Sequence, residues 1–206
     1  MKTKIIFIPG WHDCGKDMLS SKHQMWFAWL KESLKEADVD VIVADYPDSY
    51  LCRSKYWLPY IKSLGADENT ILIGHSTGAI AAMRFAESNK ILGSILVGGY
   101  YTDLDDADEK ASGYFNNPWL WENIKQNQKW IIQFHSTDDP WISNEEAHMI
   151  QDRLNTELHE FDDRGHFGVD RPYEEFPELL DALLDKINNN NTNKITSDAQ
   201  PSIASN

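Results

Sequence analysis

Residues 72–85 read LIGHSTGAIAAMRF, and the placement of Ser76 within them decides the fold. Gly74-His75-Ser76-Thr77-Gly78 matches the pattern G-x-S-x-G, which a chain of this length meets by chance about once in fifteen. The flanks carry the information the pattern lacks. Thr70-Ile73 is a short β-branched run, and the stretch Ala79–Glu87 opens immediately afterwards with helical spacing at Ile80, Met83 and Phe85. A strand, a two-glycine turn and a helix make the junction in which a serine hydroxyl is lifted off the carboxyl edge of a sheet, a nucleophile elbow. Gly74 and Gly78 omit side chains where backbones crowd together. The helix start aims free N–H groups and its positive dipole end toward charge developing at the serine. The plainer account, a serine that only caps a helix after a glycine turn, needs no partners elsewhere. The nucleophile does.

Outward from that junction the chain alternates between two textures. Lys4-Ile8, Val39-Ala44, Thr70-Ile73, Ile91-Val97, Trp130-His135 and Leu158-Phe161 are short runs rich in β-branched and apolar residues. Most are apolar along their whole length, as strands buried on both faces must be. Between several of them apolar residues recur at helical spacing: Met25, Trp26, Trp29 and Leu30; Ala147, Ile150 and Leu154; Leu179, Leu183 and Ile187. This is the pattern of β-α units and predicts an α/β fold with a mostly parallel central sheet and helices on both faces. The chain is 206 residues long, so one domain is expected, over residues 1–187. From Asn188 onward the periodicity ends, and residues 188–206 read as a disordered tail.

A serine hydroxyl attacks only when a base takes its proton and a third group orients that base. In the hydrolase arrangement the acid and the histidine follow the serine in that order, each on a loop after a later strand. The fifth run ends in STDDP, offering Asp138 and Asp139; the sixth is followed by DDRGHFG, offering His166 beside Gly165, read as room for a mobile imidazole. Asp139 precedes Pro140, which drives it toward extended geometry suited to a loop leaving a strand end. Ile142 can pack back on the sheet, and Ser143-Asn144-Glu145-Glu146 reads as a capping box opening the next helix. That layout favours Asp139 over Asp138 as the acid.

Backbone N–H groups of Thr77 and of Trp11, in the loop after the first strand, are the expected oxyanion donors. His12 in the same loop is a candidate for a supporting, substrate-binding role. The aromatic stretch SGYFNNPWLWENI at 112–124 offers Tyr114, Phe115, Trp119 and Trp121 either as a substrate-pocket wall or as cover for the edge of the core. His75 is expected to turn into the structure and His135 to pack at a strand end. His23, His148 and His159 read as surface. His12-Asp13-Cys14 lacks partners at metal-ligand spacing, so no metal and no cofactor are expected. The run DLDDADE at 103–109 lacks the glycine and glutamate spacing of a calcium loop and reads as solvated.

Composition narrows the partners. A net charge of −14 repels phosphate backbones and anionic lipid, which argues against nucleic acid and membrane. Two cysteines, Cys14 and Cys52, form no disulfide framework. No apolar run at the start is long enough for a signal-peptide core, and none elsewhere spans a bilayer. A reduced, cytoplasmic setting is expected.

The stretches IGHSTGAIAAMRFAES, ASGYFNNPWLWENIK, QFHSTDDPW and GHFG together resemble the small α/β-hydrolases grouped with retinoblastoma-binding protein nine and the bacterial YdeN proteins. The resemblance runs from about residue 4 to 185. It implies a minimal α/β-hydrolase fold with no large lid, and assigns Ser76, Asp139 and His166 as a Ser-His-Asp triad. It further implies esterase or peptidase-like action, aminopeptidase action included, on a small ester, amide or short peptide. Where the namesake carries the pocket-protein signature L-x-C-x-E, this chain reads Leu64-Gly65-Ala66-Asp67-Glu68. The cysteine is gone, so retinoblastoma-type binding is not expected. Two other readings remain open from sequence: a binding or regulatory protein on a hydrolase scaffold with little turnover, and an acyltransferase.

Overall fold

Six apolar runs become six parallel strands. The computed structural model describes residues 2–11, 25–48 and 50–198. In chain order the strands are β1 (Thr3–Ile8), β2 (Val39–Ile42), β3 (Thr70–His75), β4 (Gly93–Val97), β5 (Ile131–Ser136) and β6 (Glu157–Phe161). They form one sheet in the order β2-β1-β3-β4-β5-β6, and every pair is parallel. The apolar content of each strand follows its place. β3, β4 and β5 are buried at every position, whereas β6, at one edge, is only partly covered.

Strand side chains alternate between faces, and the two faces collect two cores. Ile5, Phe7, Ile71, Ile73, Ile95 and Val97 join one core with Trp26, Phe27 and Leu30 of helix α1 (Met25–Ser33) and Leu179, Leu183 and Ile187 of α7 (Pro177–Asp198). Ile6, Ile8, Leu72 and Leu96 join the other. There they meet Trp57 and Ile61 of α2 (Ser54–Ser63), Ala79–Met83 of α3 (Thr77–Ala86), Ile124 of α5 (Trp121–Gln126) and Ile150 and Leu154 of α6 (Asn144–Leu154). Each fully buried aliphatic contributes about 1.5–3 kcal/mol, so two-sided burial is what holds a sheet of this kind. The β4–β5 segment carries only two short helices, α4 (Ala107–Ser112) and α5, and no large lid is present among the described residues.

α2 has no counterpart in the sequence pattern, because Pro59 inside it reads as a helix break. The boundary expected at residue 187 also moves. α7 continues to Asp198, and Asn190 is buried, its Oδ1 accepting from Lys129 Nζ at 3.3 Å. A helix already nucleated against the core extends at little cost per residue, which the loss of apolar periodicity does not register. No described helix is long and apolar enough to cross a membrane.

The first strand pair feeds one side of β1, and β3 then returns on its other side. At such a reversal the loops leaving neighbouring strands part and open a crevice at the carboxyl ends. The loops after β1 and β3 carry Gly10-Trp11 and Ser76.

Candidate active site

Ser76 sits between the last residue of β3 and the first of α3 with φ 53° and ψ −124°, a backbone conformation that side-chain-bearing residues rarely adopt. Hydrogen bonds lock it. Its N–H donates to the Val97 carbonyl at 2.8 Å, and its own carbonyl accepts from Ala79 N–H at 2.8 Å. The flanking glycines are required by contact distance. A Cβ on Gly74 would lie 2.3 Å from the Gly78 carbonyl oxygen, and one on Gly78 would lie 2.2 Å from that of Ile8. Close packing of the elbow on the end of β1 therefore forbids any larger residue at either place. Thr77 opens α3, so its N–H has no acceptor within the helix.

Asp139 follows β5 by three residues. Its side chain is fully buried, and its Oδ1 accepts from the N–H groups of Trp141 and Ile142, both at 3.0 Å. Oδ2 stands 2.6 Å from His166 Nδ1. The carboxylate therefore accepts a hydrogen bond from Nδ1–H, and in the neutral imidazole this leaves the Nε2 lone pair free. Asp138 does a different job. Its Oδ1 accepts from Ser136 Oγ at 2.7 Å and Gly165 N–H at 2.8 Å, and Oδ2 pairs with Arg171 at 2.9 Å. These bonds, that from Ser136 first and then those from Gly165 N–H and Arg171, hold the carboxyl below the usual carboxylate range and tie the end of β5 to the loop that carries His166.

That loop is built for fixity. Gly165 has φ 53°, and a Cβ there would strike the Asp170 carboxylate at 2.2 Å; Asp170 Oδ1 accepts the His166 N–H at 2.7 Å. The glycine makes room for Asp170 and not, as the sequence reading had it, for a mobile imidazole. Phe167 is wholly buried and stacked on Phe176, and its carbonyl accepts from Trp26 Nε1 at 3.0 Å. Beneath the loop lies His75, turned inward as expected and completely buried. Its Nε2 donates to the His166 carbonyl at 3.0 Å. Burial, with the His166 charge adding to it, lowers its pKa to about 3, so it stays neutral. His135 packs at the end of β5 against Asn144 Oδ1 at 2.8 Å. The Ser143–Glu146 capping box does not form. Ser143 caps α6 without a side-chain bond, and Glu146 reaches away to the N–H groups of Tyr101 and Thr102 and the Thr102 hydroxyl.

Ser76 and His166 line one cavity of about 480 Å³, together with Gly10, Trp11, His75, Tyr100, Leu104, Asp106, Glu109, Pro140, Trp141, Ile142 and Val169. Trp141 stands at its rim, edge-on to the His166 ring at 5.3 Å. Trp11 is also held through its indole N–H, which donates to the Tyr50 carbonyl. His12, Cys14 and His23 lie outside the described residues. None of Tyr114, Phe115, Trp119 and Trp121 lines this cavity. Tyr114 is a core residue. Trp119 lies under the Arg84 guanidinium at 3.6 Å and stacks on Trp121 at 5.2 Å, and Phe115 packs on Tyr100. Of the two sequence readings, cover for the core is the one the packing follows.

The wall the sequence missed comes from the acidic run. Asp106 Oδ1 caps α4 by accepting from Asp108 and Glu109 N–H at 2.8 and 3.0 Å. That turn rotates Glu109 inward, where it is only 8% exposed. The first part of the segment, 103–106, is a loop with Asp105 and Asp106 exposed, and the second is a helix start that turns Glu109 to the cavity; Asp106 three residues before Glu109 is the signal that marks it. Burial raises the Glu109 pKa to about 7, against the hydrogen bond from Tyr100, which pulls it down.

His75 and Glu109 make stability depend on pH in opposite senses. From 6.5 down to about 3, the unfolded chain takes up a proton at His75 that the fold refuses, so this residue's contribution is lost as pH falls. From 4.5 up to about 7, the fold retains a Glu109 proton that the unfolded chain gives up, so stability is lost as pH rises. Between pH 5 and 6.5 the two slopes offset each other. Glu109→Gln removes one of them. Urea unfolding from pH 4.5 to 7.5 is expected to show the variant gaining about 3 kcal/mol relative to the wild type across that range. A difference independent of pH would mean that Glu109 ionises as freely in the fold as outside it.

The family model for serine hydrolases matches residues 5–185. Serine hydrolase RBBP9 of Rattus norvegicus is 43% identical over 180 residues, 86% of this chain and 92% of its own length. Putative hydrolase YdeN of Bacillus subtilis (strain 168) is 28% identical over 173 residues, 80% of this chain and 89% of its own. The crystal structure of the B. subtilis ydeN gene product superposes with a TM-score of 0.77 at 23% identity, covering 90% of this chain and 99% of that one. A monoacylglycerol lipase from Paleococcus ferrophilus gives 0.62 at 16% identity, covering 89% and 93%. At these identities the two solved structures share the α/β-hydrolase fold with this chain.

Proposed function

The chain belongs to the serine hydrolase family, and from that premise we propose that it cleaves a small ester or amide through an acyl-enzyme on Ser76. His166 Nε2 takes the Ser76 proton as the hydroxyl oxygen attacks the carbonyl carbon. Asp139 holds the imidazole in the tautomer that leaves Nε2 free and stabilises the imidazolium that forms. The oxyanion is met by the N–H groups of Thr77 and Trp11, whose positions at the start of α3 and after β1 flank Ser76. His166 then hands its proton to the leaving group. A water molecule, deprotonated in turn by His166, cleaves the acyl-serine and returns the enzyme to its starting state.

The observation that carries this reading is the 2.6 Å Asp139–His166 pair, set in the wall of the same cavity that Ser76 lines. The cavity volume of about 480 Å³ suits a small substrate and not a polymer. Esters, aminoacyl amides and short peptides are the proposed range, with aminopeptidase-like action as its amide-cleaving form.

A panel of aryl esters and aminoacyl anilides, followed in pre-steady state, tests the reaction. A burst of leaving group equal to the enzyme concentration is the expected result for esters. Turnover that transfers the acyl group to an added alcohol or amine and never to water would make the protein an acyltransferase. Absence of turnover across the panel would favour a binding role.

A further inference from the structure

Three side chains join the floor of the cavity to the elbow. Thr77 Oγ1 lies 3.1 Å from the Tyr100 hydroxyl, and that hydroxyl donates to Glu109 Oε1 at 2.5 Å. All three are buried: Thr77 is 2%, Tyr100 1% and Glu109 8% exposed. The chain runs between separate elements, from the first residue of α3, through the segment after β4, to α4. The second Glu109 oxygen, Oε2, is buried with no hydrogen-bond partner within reach among the described residues. The serine, histidine and aspartate roles proposed above make no use of this array. It ends on the residue whose amide is assigned to the oxyanion.

We propose that Tyr100 and Glu109 are positioning residues for the hydrolysis, holding Thr77 through its hydroxyl, and that Glu109 acts in its neutral form. The inference rests on the hydrolytic reading of Ser76. The physical reason lies in charge. An ionised Glu109 sets a negative charge two hydrogen bonds from Thr77, inside a poorly solvated wall. That charge opposes the oxyanion that Thr77 N–H is placed to stabilise. With the proton on Glu109 the opposition vanishes and the hydrogen-bonded chain persists. Reversal of its direction also lets the Tyr100 hydroxyl donate to Thr77 Oγ1.

The surroundings favour the proton. Asp103 and Asp106 face Glu109 from the loop before α4, and both raise its pKa. Asp108 shares its helix and the small void behind it. Tyr100 faces it as a phenol, its pKa pushed well up by burial. Across the cavity stand the neutral His75 and the Asp139-paired His166. No lysine or arginine is among the described residues that line the cavity.

The experiment compares wild type, Glu109→Gln and Tyr100→Phe with one aryl ester from pH 5.5 to 8.5, with circular dichroism to establish folding. The ratio of kcat in Glu109→Gln to kcat in wild type cancels the pH dependence that the two proteins share. It is expected to rise about tenfold from pH 6 to 8.5, with KM unchanged, because the amide stays neutral where the carboxylate ionises. Tyr100→Phe is expected to lower kcat several-fold at constant KM, which keeps the inference testable should the glutamine variant fold poorly. A pH-independent ratio, or effects confined to KM, would overturn the positioning role. Failure of a fluorophosphonate to label folded wild type would instead sink the hydrolase reading on which the inference rests.

Discussion

Ser76→Ala is expected to reduce kcat for an activated ester by about 10⁶, to the background that binding and the oxyanion donors alone sustain. The change removes one oxygen from a residue whose backbone is held by the Val97 and Ala79 contacts, and alanine strains the φ of 53° no more than serine does. Melting temperature should therefore hold within a few degrees while activity collapses. Serine, base and acid act as a unit, so Ser76→Ala combined with His166→Ala should cost little more than either alone. A double variant that loses the product of the two single losses would mean that the residues act independently.

Asp139→Asn is expected to lower kcat by up to about 10⁴, the scale seen when a catalytic carboxylate is neutralised and the wrong tautomer is held. The carboxamide can still accept the Trp141 and Ile142 N–H groups through its oxygen, which keeps the loop in place. Its NH₂ then faces His166 Nδ1, where a donor already points. The imidazole answers by moving its proton to Nε2, the position that must be vacant to receive the Ser76 proton. Asp138→Asn retains an oxygen acceptor for Ser136 Oγ and Gly165 N–H and forfeits chiefly the Arg171 pair, whose side chains are 43% and 32% exposed. Pairs that open to solvent contribute about 1 kcal/mol or less. Steady-state kinetics of the two variants on the same ester separate the roles, and the reverse ranking would move the acid by one residue.

The parts of this molecule that the sequence announces are those whose burial leaves a regular trace. The inner strands are legible because two-sided cover makes Ile5–Ile8 and Ile71–Ile73 apolar without a break and interrupts Ile131–Phe134 only at Gln133, while the edge strands β2 and β6 show it more weakly. The elbow is legible because close backbone approach at Gly74 and Gly78 admits no side chain. Asp139 is legible through Pro140 and the shape of the loop after β5. The cavity wall is not, because its residues are chosen by where a turn sends them. Glu109 looks like one more surface acid until the Asp106 cap rotates it inward. The aromatic run 114–121 looks like a pocket lining, yet Arg84 in the last turn of α3 draws Trp119 to itself, and Trp119 does not line the cavity. Glu146 looks like half of a capping box, but unpaired N–H groups at Tyr101 and Thr102 compete for its carboxylate and win. Sequence spacing reports period and chain order. It does not report which of two nearby partners a long polar side chain will reach.

The central claim is that Ser76 is the nucleophile, and intact-mass and peptide mass spectrometry after treatment with a fluorophosphonate test it most directly. The account predicts one adduct per chain, mapped to the peptide containing Ser76, formed by the wild type and absent from a folded Ser76→Ala variant. An adduct on another residue, or equal labelling of wild type and variant, would contradict it.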